Sequence, residues 1–448
     1  MTDDELDERL RALFRAGHPP LVPRPDMLEV IHRGARRRQA RRAGTLAAAG
    51  VVAVALATTA VVRPFAPARQ TAGTHAQTAA AVQPSRLVAS PTLQATETSA
   101  PAVAATSAEA GTVPAGGTPP AGFVPLSVTG TTSNGQTFWV LGDAPCATGT
   151  CTAVAKTTDG GQSFTEMAAP ASAVVPDHLL GMDGVSPQTI ANMRFVDAKN
   201  GWAFGGALWQ TTDGAQSWQQ ITSITGTVQQ LEVASGHAWA IVATGGGSPP
   251  GATGTARLFT ATYPAGTWGP VDAAGVFGPA EPALVVHDTT VIVAGEDPTT
   301  GTPRAVRSTD AATFAELPAP PCVPAPTGGL SITASALWLL CADHARAYVS
   351  TDAGTSWRQV GSTLPADAAV VAAIDPTTAV IAHGGRLIRI GTDGTMQTAA
   401  TPSGASGFAF VGFVNDTVGF AIAEVANSRQ LWRSTDAGAH WSLVRIGG

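Results

Sequence analysis

The chain has 448 residues, 44% hydrophobic and 13% charged, with a formal net charge of −6; that length is more than one domain usually holds. Residues 1–63 carry eleven arginines against seven acids, so the totals of 26 basic and 32 acidic residues leave fifteen and twenty-five for the remainder. An acidic body whose only lysines are Lys156 and Lys199 excludes the clustered basic face of a nucleic-acid binder, and no nucleic acid is expected as a partner.

From the N-terminus, residues 2–16 predict an amphipathic helix: Thr2 caps it, Asp3, Asp4 and Glu5 suit its positive end, and Leu6, Leu10, Leu13 and Phe14 share one face. A Pro-rich break at 19–25 precedes a second helix, capped by Asp26, that runs into an arginine cluster. The layout is similar to the cytoplasmic stubs of actinobacterial membrane proteins associated with sigma-factor regulation, although it has no His-x₃-Cys-x₂-Cys zinc signature. Ala43 to Val62 then gives twenty residues without a charge, enough to span a hydrocarbon core of ~30 Å. Six arginines between Arg33 and Arg42 precede it and only Arg63 and Arg69 follow soon after, so the positive-inside rule keeps the N-terminus in the cytoplasm. The competing reading is a signal peptide cleaved near Ala66-Pro67-Ala68, which has an unusually long leader. Residues 63–122 are rich in Ala, Thr and Pro and bury too little to order themselves, which predicts a disordered stalk. The expected domains are a stub at 1–42, a single membrane helix at 43–62, the stalk at 63–122 and a folded body at 123–448.

That body is repetitive. TTDGGQSF at 157–164 returns as TTDGAQSW at 211–218, STDAGTSW at 350–357 and STDAGAHW at 434–441, with weaker copies at 261–268, 308–314 and 391–396. Anchored on Asp159, Asp213, Tyr263, Asp310, Asp352, Asp393 and Asp436, the intervals are 54, 50, 47, 42, 41 and 43 residues, the period of a four-stranded propeller blade. Seven copies predict an all-β, seven-bladed propeller. Within each copy the Asp carboxylate accepts backbone N–H groups across a tight turn, a Gly relieves the backbone, and the aromatic (Trp218, Trp268, Trp357, Trp441) packs on the sheet. A structural staple is the reading taken over a Ca²⁺ or ligand role, and no metal or cofactor is expected.

These phrases resemble the Asp-box, or BNR-repeat, propellers: sialidases, sortilin-type receptors, some glucanases, and the photosystem II assembly and stability factor family. The last is nearest, because MRFVDAKNGWAFGGALWQTTDGAQSW at 193–218 resembles its whole repeat. Each blade is expected to run as strands A to D with the box between C and D, and no closing strand is exchanged between the ends. Four cysteines allow three pairings. Cys146 with Cys151 closes a short loop, and Cys322 and Cys341 are near in the repeat register, so these two bridges are predicted.

A–B turns such as Asp197–Asn200 and Asn415–Thr417 are tight and share a rim with the boxes, whereas long insertions at 142–152, 168–189, 244–256, 295–304 and 424–429 fall at the other end. Loops on a rigid scaffold are where binding resides. The candidate rim therefore carries Asp143, Asp177, His178, Asp183, Glu296, Asp297, Arg304, Asp343, His344, Arg346, Arg386 and Arg429. Sialidase chemistry is not supported: Tyr263 sits at a box position, Tyr348 reads as strand packing, and no Arg-Ile-Pro motif occurs. A glycosidase pair drawn from Asp177, Asp183, Glu296 and Asp297 stays open. The preferred reading is a monomeric, non-catalytic binding propeller held outside the membrane for a protein, peptide or glycan; the alternatives are a sialidase-like or other glycoside hydrolase and a sigma-factor-linked surface sensor.

Overall fold

Each repeat folds into an antiparallel meander. Blade 1 comprises β1 (Val124–Gly130), β2 (Phe138–Cys146), β3 (Gly149–Thr157) and β4 (Thr165–Met167), and blade 2 comprises β5 (Ile190–Phe195), β6 (Gly201–Gly205), β7 (Leu208–Thr211) and β8 (Gln219–Gln220). Blade 3 holds β9 (Thr227–Ala234), β10 (His237–Thr244), β11 (Thr255–Thr262), β12 (Gly269–Pro270) and β13 (Val276–Phe277); blade 4 holds β14 (Ala283–His287), β15 (Thr290–Glu296), β16 (Pro303–Ser308) and β17 (Ala315–Glu316). Blade 5 is β18 (Leu330–Ile332), β19 (Leu337–Leu340), β20 (Ala347–Ser350) and β21 (Arg358–Val360), and blade 6 is β22 (Ala368–Asp375), β23 (Thr378–His383), β24 (Arg386–Gly391) and β25 (Met396–Thr398). Blade 7 ends the chain with β26 (Ala405–Phe413), β27 (Gly419–Val425), β28 (Ser428–Ser434) and β29 (Ser442–Val444). This computed structural model describes residues 116–447 except 132–134, 148, 178–179, 181–185, 187, 245–253, 279–280, 327, 345, 362–363 and 366. The expected stub, the apolar stretch 43–62, and His178 and Asp183 of the rim lie outside the described residues. Among those described, no helix is long and apolar enough to cross a membrane.

The second strand of every blade is buried on both faces, and its period-two alternation sends successive side chains to opposite neighbours. In β2, Phe138 and Val140 join Phe420 and Ile422 of blade 7, while Trp139 and Leu141 join Met193 and Phe195 of blade 2. The same split recurs in β10, where Ala238 and Val242 face blade 2 and Trp239 and Ile241 face blade 4, and in β19, where Leu339 faces blade 4 and Trp338 faces blade 6. Seven apolar clusters thus occupy the seven junctions of the ring, and Trp139 stacks on Phe195 with ring centroids 4.0 Å apart. First strands have no strand beyond them, and side chains of the preceding blade take up their outward N–H groups: Met193 donates to Ser127 Oγ (3.1 Å), Leu284 to Gln230 Oε1 (2.8 Å) and Ala373 to Ser331 Oγ (2.9 Å).

Among the described residues every sheet is built from one continuous stretch, and no strand is exchanged at closure. Phe123 and Phe138 meet Phe420, Leu431 and Ile446 across the blade 7/1 junction instead. Three sequence expectations are corrected. The stretches 142–152, 295–304 and 424–429 are not loops but hairpins extended by continued pairing, with Cys146 opposite Gly149, Glu296 opposite Pro303 and Val425 opposite Ser428. Blade 3 has a fifth strand, because the chain leaves β11 after β12, makes a 3-10 turn at Asp272–Ala274 and returns to it as β13. Asp393 lies in a turn of different construction, described below.

Both predicted disulfides are present and no free cysteine remains. Cys146–Cys151 ties the tip of the β2–β3 hairpin; Cys322–Cys341 spans 19 residues and fastens the link from blade 4 to the buried end of β19. Replacing Cys322 and Cys341 by Ala is expected to lower the unfolding free energy by about 3 kcal/mol, and replacing Cys146 and Cys151 by about 2 kcal/mol, since the shorter loop costs less entropy to close. Urea denaturation of the two double variants checks this order, and a larger loss for the short loop would contradict it.

Candidate functional site

The repeated phrase builds a hydroxyl–carboxylate turn. In blade 5 the hydroxyl of Ser350, the last residue of β20, is buried; it donates to Asp352 Oδ1 (2.7 Å) and accepts the N–H of Gly354 (2.8 Å). Asp352 Oδ1 also accepts Ser356 N–H (2.8 Å), and Oδ2 accepts the Ser356 hydroxyl (2.6 Å). The arrangement repeats around Thr157 and Asp159, Thr211 and Asp213, and Ser434 and Asp436. In blade 4 Ser308 and Thr313 hold Asp310 in the same manner. Two consecutive residues after each full-length Asp adopt positive φ: Gly160 and Gly161, Gly214 and Ala215, Ala353 and Gly354, Ala437 and Gly438. Glycine relief is therefore needed at two positions, and an alanine strains one of them in three of the four. The Ser or Thr two residues before the Asp was missed by sequence reasoning, although the phrase repeats it.

Two turns depart from this scheme. Gly391 stands where a hydroxyl would be in blade 6, so Asp393 Oδ1 accepts only the N–H (2.9 Å) and hydroxyl (2.7 Å) of Thr395. In blade 3 the cis Tyr263-Pro264 peptide replaces the box, Tyr263 packs edge-on to Trp202, and Trp268 is buried between blades 2 and 3. The other box aromatics also wedge back into the preceding blade: Trp218 donates to Ala168 O (2.8 Å), Trp441 to Ala400 O (3.1 Å), and Trp357 joins the blade 4/5 cluster. Long polar side chains on the third strands reach forward. Arg307 donates to Asp352 O (3.2 Å) and Ala353 O (3.0 Å), Arg389 to Ala437 O (3.3 Å), Arg433 to Gly135 O (3.1 Å) and Gln210 to Pro264 O (2.7 Å). Their sequence signal is a long polar residue three or four positions before the turn.

These bonds occupy most of the acceptor positions of the full-length staple carboxylates. The Ser356 hydroxyl, then its N–H, hold Asp352 at about 2, and the His440 side chain leads the groups that hold Asp436 at about 2. Asp159 and Asp310 are lowered further, first by the Ser163 and Thr313 hydroxyls. Such carboxylates are hydrogen-bonded anions with little capacity left for a ligand.

At the opposite rim most of the predicted residues that are described are engaged with neighbouring side chains or backbone groups. Arg304 pairs with Glu316 and donates to Val276 O (3.1 Å) and Ala274 O (3.2 Å), with its guanidinium 4.6 Å from the Phe277 ring; it pins the split edge of blade 3 to blade 4. Asp297 caps its own hairpin by accepting Thr300 N–H (2.8 Å) and Thr299 N–H (2.9 Å), and these bonds lower its pKa. Arg346 grips Asp343 (2.5 and 2.8 Å), His344 Nδ1 lies 2.6 Å from Ala368 O, and Arg429 faces Glu424 at 3.9 Å. Asp177 accepts Asn192 Nδ2 (2.9 Å). Burial raises Asp143, with Arg429 opposing it, while Glu296 closes β15 and Arg386 opens β24 as an exposed residue. Of the acids considered for a glycosidase pair, Asp183 is outside the described residues, Asp177 accepts Asn192 Nδ2 and Asp297 holds its own turn. Among the described residues no three His, Cys, Asp or Glu side chains gather as a metal site.

No protein-family model and no curated protein matches the chain. Among solved structures it is similar to YCF48 from Cyanidioschyzon merolae (14% identity, 70% of this chain and 95% of that one, TM-score 0.43). It is also similar to a streptogramin B lyase (13%, 74% and 95%, TM-score 0.48) and to the GH74 enzyme of Niastella koreensis (15%, 72% and 65%, TM-score 0.33). What this chain does rests on its own residues.

Because Ser350 serves a buried N–H, Ser350→Ala is expected to cost about 1–2 kcal/mol, more than Ser356→Ala at the exposed end of the same turn. The depressed Asp352 pKa adds stability that is full above the ordinary 3.8 and is lost as pH falls through about 2. Asp352→Asn is therefore expected to flatten the acid limb of the stability curve between those values, measured by thermal unfolding against pH. An unchanged limb would remove Asp352 from the acid transition.

Proposed function

We propose that this protein is a non-catalytic binding propeller, tethered to the outside of the cell membrane through residues 43–62, and that it engages a protein, peptide or glycan with the rim opposite the repeated turns. The observation that carries this reading is the contrast between the two ends of the ring. At one end short turns are stapled through carboxylates and hydroxyls, which we read as Asp-boxes. At the other end the connections vary from the two-residue turn at Ala426–Asn427 to the long link between blades 1 and 2. Varied connections on a rigid scaffold suit recognition, and ion pairs such as Arg346–Asp343 and Arg304–Glu316 hold that rim in one shape before a partner arrives. Preorganisation of this kind reduces the ordering cost of association. Arg386, exposed at the start of β24, is the cation we assign to direct contact.

The full chain is expected to release no fluorophore from a panel of aryl glycosides, and to bind members of a glycan or peptide array at least tenfold more weakly as Arg386→Glu, with Gln162→Ala on the stapled rim unchanged. Turnover abolished by Glu296→Gln would overturn the non-catalytic reading; equal effects of both variants would overturn the choice of rim. Protease added to intact cells is expected to digest the propeller, and full protection would refute the external placement.

A further inference from the structure

The segment ahead of β1 does not approach blade 1 freely. Gly116 donates to Glu166 O (2.9 Å) and Glu166 N–H donates to Gly117 O (2.7 Å), so the strap is hydrogen-bonded to the open edge of β4, the outermost strand of the blade. The strap then turns inward: Pro119 is buried, Gly122 lies against the Pro145 ring at the disulfide-tied hairpin, and Phe123 plugs the blade 7/1 junction. The C-terminal end passes close against it. A Cβ placed on Gly447 would stand 2.2 Å from Pro120 O and 2.8 Å from Pro119 O, and Ile446 shares the junction cluster with Phe123.

Glu166 lies beneath this strap. It is 6% exposed, its Oε1 is buried without a hydrogen-bond partner, and its Oε2 lies 3.7 Å from where a Cβ on Gly117 would be. None of the elements around it offers a compensating charge among the described residues. The strap contributes Gly116, Gly117 and Thr118; β3 places Ala155 opposite it and turns Lys156 to the other face over Trp139; and Arg445 of the C-terminal run is exposed. A buried carboxyl whose Oε1 has no hydrogen-bond partner is costly to ionise, so it makes the covering segment sensitive to protons.

We propose that residues 116–123 form a releasable latch across the blade 7/1 junction, and that the protonation of Glu166 governs whether it is shut. When shut, the latch covers the carboxyl, the C-terminal run and one sector of the candidate binding rim beside Pro145. When open, it exposes the edge of β4 and loosens the hold on the last strand of blade 7. Burial raises the Glu166 pKa, so the neutral acid is the form that fits under the strap. Closure is then fully favoured below the ordinary value of 4.5, weakens by up to about tenfold per pH unit above it, and levels off once pH passes the shut-state value.

Amide hydrogen exchange of the full chain from pH 4 to 8, corrected for intrinsic rates, reads this directly at the Gly116 and Glu166 N–H groups. Wild-type protection is expected to fall with rising pH over that window, while the amides of β2 hold constant. Glu166→Gln is expected to stay protected at every pH, and Pro119→Ala to lower protection throughout while keeping the wild-type slope. A flat wild-type profile, a Glu166→Gln slope equal to wild type, or strap amides unprotected at every pH would each overturn the proposal.

Discussion

A sheet buried on both faces cannot stop at one blade, and the rest of this molecule follows from that constraint. Trp139 and Phe138 are neighbours in sequence yet belong to different cores, one shared with blade 2 and one with blade 7. The same holds for Trp338 and Leu339 and for Phe420 and Ala421. Each blade completes its neighbours, so stability is a sum of interfaces and the weak point is where the last described blade meets the first. Among the described residues no exchanged strand bridges that point. Phe123, Ile446 and the strap over β4 take its place at the 7/1 junction.

The stapled rim answers a separate demand. Third and fourth strands must reverse within a few residues while the last side chain of the third strand stays in the core. A buried hydroxyl at that position satisfies the Gly354-type N–H from below, and the Asp carboxylate gathers the N–H groups above it. The geometry tolerates Ala215, Ala353 and Ala437 at positive φ, so the bonds of the turn outweigh a cost of about 1 kcal/mol per residue. Cations from the preceding blade then clamp the carbonyls that the turn leaves outward. Chemistry that looks like a row of acidic sites is thereby consumed in holding the ring.

Blade number and the class of turn were legible because they rest on local chemistry repeated at a fixed period, and the short bridge because its cysteines are close in sequence. Asp159 and Ser163 sit four residues apart, and Cys146 and Cys151 five apart; proximity along the chain is proximity in space. What escaped depends on partners far away in sequence. Arg304 reads as a loop cation until the return of β13 brings Ala274 and Val276 to it, and Glu166 reads as one residue of a short strand until Gly117 covers it from the other side of blade 1. The misread insertions have a related cause. Pro145, Gly149 and Asp297 look like loop composition, yet hairpins that extend beyond the sheet body need no apolar alternation to keep pairing.

The division of labour between the rims bears on how such a ring gains a binding face without losing stability. On the stapled side the Asp carboxylates and the buried hydroxyls are tied to the reversal of the chain, so substituting them costs folding free energy. Opposite it, Arg346 with Asp343 and Arg429 with Glu424 are partly exposed pairs, each contributing little to stability and easily exchanged for other pairs. Variation is therefore cheap at one end only. A surface whose polar residues mostly hold one another in place can change its chemistry residue by residue while the seven junctions beneath it stay as they are.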